Sequence, residues 1–176
     1  LTRCKRWMNM KKIIFFLIFS FVVSLLYSQN YRFMEYGVEE GLCDNFIYNI
    51  NQDDNAYLWM GTGEGLCRFD GFHFIDEFQG DSLPDSPVME SYKDSKGRVW
   101  FGYDNGQIAV LQGREVKLIT PAEDHLNTIN GIAENAEGHI IFATQNKGLF
   151  RVGPELGLSY YQEGLESQLI SALHIT

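Results

Sequence analysis

Leu58-Trp59-Met60-Gly61-Thr62 is the stretch that decides the fold, because closely similar stretches follow it at a fixed interval. The second copy begins at Val99 and the third at Ile140, so the interval is 41 residues both times. An acidic or amide-containing turn precedes each copy, and a turn that ends in glycine follows it. Self-similarity at one period indicates that a single supersecondary unit is reused along the chain.

Each repeat contains four short segments with the alternation or apolar content of β-strands. In the first repeat these segments are Ile47–Gln52, Tyr57–Thr62, Leu66–Phe69 and His73–Phe78. Beyond the N-terminal apolar run, no segment of ten or more residues carries a sustained helical apolar face. Four strands in a repeat of about 40 residues are typical of β-propellers, whose blades are four-stranded sheets. The sequence therefore predicts an all-β chain of antiparallel propeller blades.

The repeat boundaries predict an incomplete propeller. Residues 30–176 hold three repeats, at about 42–82, 83–123 and 124–163, and the start of another at 164–176. This is about three and a half blades, whereas propellers typically close with 4–8. An open ring would expose a strand edge and an apolar face. We therefore expect the chain to be the N-terminal fragment of a longer protein.

Residues 1–29 predict a signal peptide with an upstream extension before Met10. Lys11 and Lys12 precede an apolar run, Ile13–Tyr27, which is short for a membrane span of about 20 residues. A charged start followed by an apolar run of this length is typical of a secretory signal. The bulky residues before Ser28 leave an uncleaved anchor as the alternative.

The charge pattern argues against nucleic-acid binding. The first 28 residues hold five basic residues and no acid, so the remainder has 14 − 5 = 9 basic against 23 acidic residues. Such an acidic surface repels phosphate backbones and anionic membranes. The four histidines lack the spacing of metal ligands, and the sequence contains neither a nucleophile elbow nor a glycine-rich phosphate loop. We expect no metal, no cofactor and no catalytic residue in this fragment.

Two local features lead to further expectations. Gly97 and Gly138 suit the left-handed residue of a tight hairpin, whereas Ala56 occupies this place in the first repeat, so we expect Asn55 to take the left-handed conformation there. Cys43 falls in a loop and Cys67 in a strand, and no later repeat has either one. Because a disulfide needs specific geometry, we expect two unpaired thiols.

The first repeat resembles the two-component regulator propeller repeat, a family whose core reads roughly DxxGxLWxGTxxGL before an aromatic residue and an Asp-Gly turn. The matching residues are Leu58–Thr62, Gly65-Leu66 and Phe69-Asp70-Gly71, and Glu40–Asn45 is similar to the family's opening segment. The second repeat keeps Trp100 and Gly102. The third departs most, with Ile141 and Ala143 in place of tryptophan and glycine.

The resemblance implies a non-catalytic, periplasmic sensing module of a membrane-bound hybrid histidine kinase that detects glycan fragments. Its partners would be an oligosaccharide ligand and the remaining blades, membrane segment and kinase region of the parent chain. A homodimeric parent protein is compatible with this layout. Two alternatives stay open, because fold alone does not decide function. One is an exported propeller enzyme acting on polysaccharide, and the other is an extracellular adhesion or secretion-associated propeller.

Repeat positions and turns carry different predictions. Trp59, Gly61, Trp100 and Gly102 stand at identical places in successive repeats, so we interpret them as structural positions and assign the two tryptophans to packing between blades. The turns after the repeated stretch differ between repeats, as recognition positions on a rigid scaffold do. We predict ligand-binding residues in these turns at the following positions: Tyr103, Asp104, Asn105 and Asn146.

The segment Tyr31–Tyr36 alternates as a strand does, although it precedes the first repeat. We predict that it becomes the outermost strand of the parent protein's final blade and so closes the ring. In the present chain it should then have no strand partner.

Overall fold

The computed structural model of the chain describes residues 12, 14–20, 33–75, 83–123 and 126–161. It divides into two units, Leu1–Glu35 and Tyr36–Thr176. In the first unit, residues 14–20 are helical and their apolar side chains are exposed. No helix within the described residues has the length and apolar character needed to cross a membrane. The signal peptide predicted at 1–29 falls mostly outside the described residues and stays a prediction.

In its described residues, the second unit forms three sheets, each of four antiparallel strands that are adjacent in chain order. We call them blade 1 (β1–β4), blade 2 (β5–β8) and blade 3 (β9–β12). The strands are β1 Ile47–Gln52, β2 Leu58–Thr62, β3 Gly65–Phe69, β4 Phe74–Ile75, β5 Val88–Lys93, β6 Val99–Tyr103, β7 Ile108–Gln112, β8 Glu115–Ile119, β9 Ile129–Glu134, β10 Ile140–Thr144, β11 Leu149–Val152 and β12 Leu158–Tyr161.

The architecture confirms the predicted all-β fold of four-stranded antiparallel blades. In blade 1 the first strand has the predicted bounds, and the next two differ from them by one residue. The fourth strand is shorter than predicted, with two residues, and 76–78 lie outside the described residues. The start of another repeat predicted at 164–176 also lies outside them, and the repeat boundaries remain predictions.

The innermost strand of each blade contains a bulge at the same repeat position. The register shifts between Ile47 and Asn49, between Val88 and Glu90, and next to Asn130 in blade 3. A bulge inserts one residue and increases the local twist of a strand. Because the bulge recurs at the 41-residue interval, the three blades share backbone geometry as well as sequence.

The two tryptophans pack across the contacts between blades, which we call seams. Trp59 of blade 1 is 1% exposed and its ring lies 5.8 Å from that of Phe101 in blade 2. Trp100 of blade 2 is fully buried and lies 5.8 Å from Phe142 in blade 3. Burial of large aromatic surface is among the strongest contributions to a core. The seams therefore contain the two largest buried hydrophobic clusters among the described residues.

The repeated glycine after each tryptophan is explained by close approach. A Cβ atom on Gly102 would lie 2.5 Å from Cγ2 of Ile129, which belongs to the innermost strand of blade 3. At Gly61 it would lie 2.5 Å from the side chain of Asn49 and 2.6 Å from the carbonyl oxygen of Val88. Any side chain at these positions would push successive blades apart.

Each seam tryptophan is held by an aspartate from the turn that precedes its strand. Oδ2 of Asp53 accepts a hydrogen bond from Nε1 of Trp59 at 2.9 Å, and Oδ2 of Asp94 accepts one from Trp100 at 2.8 Å. The other carboxylate oxygen accepts backbone N–H groups of the turn. In blade 3 the corresponding residues are Asn135 and Ile141, so a neutral amide replaces the carboxylate where no indole needs an acceptor.

Polar side chains also tie the innermost strands together across the first seam. Nδ2 of Asn49 donates to the carbonyl oxygen of Val88 at 2.9 Å, and Nδ2 of Asn51 donates to Oγ of Ser91 at 2.6 Å. Glu90 takes the repeat position of Asn49 in blade 2. Burial raises the pKa of the Glu90 carboxyl, and a hydrogen bond from the Ser91 N–H offsets this only in part.

Glu90→Gln should stabilise the complete protein at neutral pH by about 1 kcal/mol, because an uncharged amide is easier to bury and can donate a hydrogen bond as Asn49 does. The raised pKa means that the folded state holds the proton more tightly than the unfolded state. The charged form therefore costs stability as pH rises above the unfolded pKa, and the gain from glutamine should shrink on acidification toward about pH 4. Urea unfolding at both pH values measures this gain. Glu115→Gln on the exposed part of β8 is the matched control, and a loss of stability at pH 7 would contradict the prediction.

The expected turn conformation in blade 1 is wrong. Ala56 itself is left-handed, with φ of 67°, and Asn55 is not among the residues with positive φ. Gly97 and Gly138 occupy the same turn position with φ of 76°, as predicted. The hairpin geometry that follows β1, β5 and β9 is thus imposed by the strands, and it overrides the local preference of the residue in the turn.

Cys43 and Cys67 form a disulfide, which corrects the expectation of two unpaired thiols. Their Cα atoms lie 5.8 Å apart, within the usual range for a bridge. The loop before β1 brings Cys43 to β3 because neighbouring Leu42 is buried against Met60 and Cys67. The ring of Tyr36 adds contacts to Phe69 and Phe74, at 5.1 and 5.9 Å.

Replacing both cysteines by alanine in the complete protein should lower the free energy of unfolding by about 3 kcal/mol, because the bridge closes a chain segment with a sequence separation of 24 residues. Denaturant unfolding of the variant and of the oxidised wild type measures the difference. Wild-type protein treated with a reducing agent should match the variant. Equal midpoints for oxidised and reduced wild type would contradict this prediction.

The predicted closing strand carries no strand structure in its described part. Residues 33–37 have no strand assignment, and Phe33 and Met34 are 91% and 74% exposed. These two residues stand 41 positions before Phe74 and Ile75, which form the outermost strand of blade 1. The repeat register therefore favours an outermost-strand role for this segment, and ring closure through it stays a prediction.

Candidate ligand-binding site

One end of the three blades gathers the turns in which binding residues were predicted. The first residue of each such turn donates its backbone N–H to the residue just before its own blade's innermost strand. These bonds join Gly63 to Phe46, Asp104 to Pro87 and Gln145 to Thr128, at 3.1, 2.8 and 2.9 Å. We call this end the upper face. It carries the β2–β3, β6–β7 and β10–β11 turns and the segments that lead into β1, β5 and β9.

Asp104 and the segment before blade 3 meet at the second seam on the upper face. Oγ1 of Thr128 donates to Oδ1 of Asp104 at 2.9 Å. Gly106 lies directly against the backbone of Leu126 and Asn127, and it has a φ of 83° that favours glycine. The turn of blade 2 is thereby fixed on the opening segment of blade 3, and the Asp104 side chain stays exposed.

Asn146 reaches the same segment from the other side. Its backbone N–H donates to Oδ1 of Asn127 at 3.0 Å, and the residue is exposed. Within the described part of the chain, the Asn146 side chain makes no hydrogen bond. Asp104 and Asn146 thus both contact the dipeptide Asn127-Thr128. We call these four residues the upper-face cluster.

The other two predicted binding residues have different surroundings. Both amide atoms of Asn105 are used within its own turn, since Nδ2 donates to Gln107 Oε1 and Oδ1 accepts the Gln107 backbone N–H, at 2.8 and 3.0 Å. Tyr103 is fully buried in the first seam rather than displayed on the turn. It is the last residue of β6, and it lies on the same side of this strand as Val99 and Phe101.

Tyr103 also departs from its repeat equivalents. Thr62 and Thr144 use their hydroxyls to bind the carbonyl oxygens of Gly65 and Gly148, at 2.9 and 2.8 Å. The Tyr103 hydroxyl is buried and has no hydrogen-bond partner among the described residues. Burial raises the pKa of this phenol well above its usual value. A neutral, buried tyrosine belongs to the packing of the seam and offers no group at the upper face.

The upper-face cluster supplies carboxylate and amide groups to solvent on a rigid frame. Such groups accept and donate hydrogen bonds to hydroxyl-bearing ligands. Across residues 33–75, 83–123 and 126–161, no three histidine, cysteine, aspartate or glutamate side chains are placed to hold a metal ion. The arrangement suits reversible recognition of a polar ligand.

Solved structures similar to this chain include extracellular domains of bacterial one-component and two-component systems and a lyase. The present chain matches the extracellular domain of a B. thetaiotaomicron protein assigned to the one-component systems. The TM-score is 0.65, and the identity is 21% over 82% of this chain and 21% of that one. A second match, to the extracellular domain of a B. thetaiotaomicron protein assigned to the hybrid two-component systems, has a TM-score of 0.64 and 20% identity over 77% of this chain and 21% of that one. Virginiamycin B lyase from Staphylococcus aureus matches with a TM-score of 0.53 and 22% identity, over 65% and 40% of the two chains.

One curated protein adds a sequence match. A histidine kinase of Formosa agariphila, named P4, is 37% identical over 60 residues, which are 33% of this chain and 4% of that protein. No protein-family model matches the chain. The chain therefore spans a small part of its relatives, about a fifth of the bacterial extracellular domains and 4% of the kinase.

These matches define the class of the protein. Together with the three four-stranded blades, they establish an incomplete β-propeller. The resemblance to the two-component regulator propeller repeat, which rests on the motif residues of the first repeat, is supported by the histidine kinase match, and the extracellular-domain neighbours share its fold.

Proposed function

We propose that this chain is the N-terminal part of an exported propeller that senses a ligand for a two-component histidine kinase. The observation that carries this proposal is the match to a histidine kinase at 37% identity, joined to the likeness to extracellular domains of signalling proteins. In this arrangement the propeller itself is non-catalytic. The remaining blades, a membrane segment and the kinase region would belong to the rest of the parent chain.

The proposed ligand is an oligosaccharide fragment, bound at the upper face. Asp104 and Asn146 are exposed at one seam and contact the same opening segment of blade 3. Carboxylates and amides of this kind match the alternating donors and acceptors of sugar hydroxyls. A ligand that spans the seam would contact two blades, and its binding would therefore change how they pack.

The test uses the complete protein and a panel of plant and algal oligosaccharides. Binding is measured by calorimetry, and signalling by autophosphorylation of the kinase region. Asp104→Ala and Asn146→Ala should each weaken binding of the active oligosaccharide by about tenfold, as expected for loss of a hydrogen bond to a charged or tightly placed group. Glu137→Ala, an exposed change at the opposite end of blade 3, should leave binding unchanged. If the oligosaccharide activates phosphorylation while both upper-face variants bind normally, the site is wrong although the sensor role stands.

The second candidate is an exported lyase or glycosidase, which the likeness to virginiamycin B lyase favours. An enzyme of this kind would convert its ligand, whereas a sensor would return it unchanged. Mass spectrometry of each oligosaccharide after long incubation with the complete protein separates the two functions. Product formation that requires a propeller residue would replace the sensor proposal.

A further inference from the structure

The end of the blades opposite the upper face contains a groove that the sensor proposal does not use. Its cavity volume is about 390 Å³, in the range of small-molecule sites. The β1–β2 turn contributes Asn55, the β5–β6 turn contributes Lys96 and Arg98, and the end of β7 contributes Gln112. Pro154 of blade 3 completes the rim. We call it the lower groove, and it lies wholly within the three described blades.

The two carboxylates that line the lower groove, Asp53 and Asp54, make contacts within the protein. Both carboxylate oxygens of Asp53 accept hydrogen bonds from its turn and from Trp59. Oδ1 of Asp54 lies 2.8 Å from Nζ of Lys93, and its other oxygen lies directly against Gly97. Both oxygens of Asp53 are thus engaged, whereas Asp54 is paired with Lys93 through one oxygen and its side chain is 70% exposed.

The donors of the groove are not used in the same way. Lys96, Asn55 and Gln112 are exposed, and within the described residues their side chains make no hydrogen bond or ion pair. Arg98 donates from Nε to Asp94 at 2.6 Å, but its Nη2 is buried and has no partner among the described residues. The Arg98 side chain is only 7% exposed. An unsatisfied buried guanidinium donor costs free energy until an acceptor reaches it.

This imbalance identifies the chemistry of a ligand. Lys96 has no partner among the described residues, Arg98 holds an unsatisfied donor, and the amides of Asn55 and Gln112 can donate as well. The groove therefore suits an anionic group that accepts hydrogen bonds. A carboxylate meets this requirement, and arginine and lysine bind carboxylates through charge-assisted hydrogen bonds. We propose that the lower groove is a second site, distinct from the upper-face cluster, that binds a small carboxylate-bearing molecule between blades 1 and 2.

The position of the groove gives such binding a structural consequence. Lys96 and Arg98 belong to the turn of blade 2, and Asn55 belongs to the turn of blade 1. A carboxylate held by all three would add a contact across the first seam. Ligand binding should therefore raise the unfolding temperature of the complete protein, and the rise should continue with the logarithm of ligand concentration above the Kd.

The test titrates the complete protein with glucuronate, citrate and succinate, and with glucose as the uncharged counterpart of glucuronate. Calorimetry and the shift of unfolding temperature provide the readouts. At least one carboxylate should bind saturably, and glucose should not. Lys96→Gln should weaken that binding by about tenfold or more, as loss of a charge-assisted contact predicts. Lys117→Gln on β8 makes the same charge change away from the groove and should leave affinity unchanged.

Arg98→Lys keeps a positive charge beside Asp94 but removes Nη2, so it should also reduce affinity. The unfolding temperature of the Arg98 variant is measured first. If this variant is unstable, Lys96→Gln decides the test, because Lys96 is exposed and its replacement should not affect folding. Absence of saturable binding by all three carboxylates would overturn the proposal. Equal losses in the Lys96 and Lys117 variants, or equal binding of glucose and glucuronate, would also overturn it. Asp104→Ala should leave carboxylate binding intact, which separates this outcome from failure of the sensor proposal.

Discussion

Trp100→Ala in the complete protein should lower the free energy of unfolding by about 3–5 kcal/mol, the range for removal of a large aromatic side chain from a core. Trp100 is fully buried, and it contacts Phe142 across the second seam while its indole N–H is bonded to Asp94. The substitution removes the aromatic contact, leaves a cavity between two blades and leaves the carboxylate without one donor.

Denaturant unfolding measures this loss, and Phe72→Ala provides the control. Phe72 is 82% exposed, so the same large-to-small change there should alter stability by no more than about 0.5 kcal/mol. Oligosaccharide affinity is measured on both variants. A Trp100 variant of normal stability but reduced affinity would show that the indole lines a ligand site instead of the seam.

Asp94→Ala should have an effect of similar size, about 3–5 kcal/mol, because removal of one partner leaves a buried charge unpaired. Oδ2 of Asp94 accepts from Nε of Arg98 at 2.6 Å and from Trp100 at 2.8 Å, and Oδ1 accepts two backbone N–H groups. Arg98 is 7% exposed, so water cannot easily replace the carboxylate.

Two related variants identify which contact matters. Asp53→Ala changes the same position in blade 1, where Tyr57 stands in place of the arginine. Because no guanidinium is left unpaired there, the free energy of unfolding should fall by less than in Asp94→Ala. Asp94→Asn keeps an acceptor for the turn, as Asn135 does in blade 3, and should give an intermediate loss. Equal losses for Asp94→Ala and Asp53→Ala would contradict the role assigned to Arg98.

The pH dependence of the Asp94 variants has a defined sign. Burial tends to raise the pKa of Asp94, but hydrogen bonds from Trp100 and Arg98 outweigh burial, so its pKa lies below the ordinary value. Such a group stabilises the folded state above the unfolded pKa of about 4 and loses this contribution as pH falls through the folded value. The difference in the free energy of unfolding between wild type and Asp94→Asn should therefore be largest at pH 7 and should diminish in strong acid.

The blades could be predicted from the sequence because the same buried positions recur in successive repeats. An apolar or aromatic residue at a fixed place in every repeat must be buried, and Trp59, Trp100 and their following glycines show this place directly. The aspartates that bind the indoles could not be recognised as partners, since Asp53 and Asp94 also fit plain turns. The substitution of Asn135 together with Ile141 is the sequence signal that links these two positions.

The binding turns could be predicted only in part. The variation of the turns between repeats predicts Asp104 and Asn146 as binding residues, and this stays a prediction. Their meeting at Asn127-Thr128 depends on how blade 3 follows blade 2. The sequence groups Tyr103 with the variable turn that follows β6, but the residue is buried in the first seam. The alternation of 99, 101 and 103 along β6 is the signal that indicates its burial.

The disulfide illustrates a limit of local reasoning. Cys43 stands in a loop, and its distance from Cys67 depends on the path of the chain around Leu42, which no repeat equivalent constrains. The apolar residue beside Cys43 hints that the loop turns inward, but it does not fix the distance between the two sulfur atoms.

The two seam tryptophans have a spectroscopic consequence. Trp59 reports on the contact between blades 1 and 2, and Trp100 reports on the contact between blades 2 and 3, while the equivalent residue of blade 3 is Ile141. A buried indole emits at shorter wavelengths than one in water. In variants of the complete protein that keep only one of these indoles, the emission of the remaining indole would shift to longer wavelengths when its seam opens. The shift would therefore report the opening of one chosen seam. Local opening and global unfolding would then be distinguishable blade by blade.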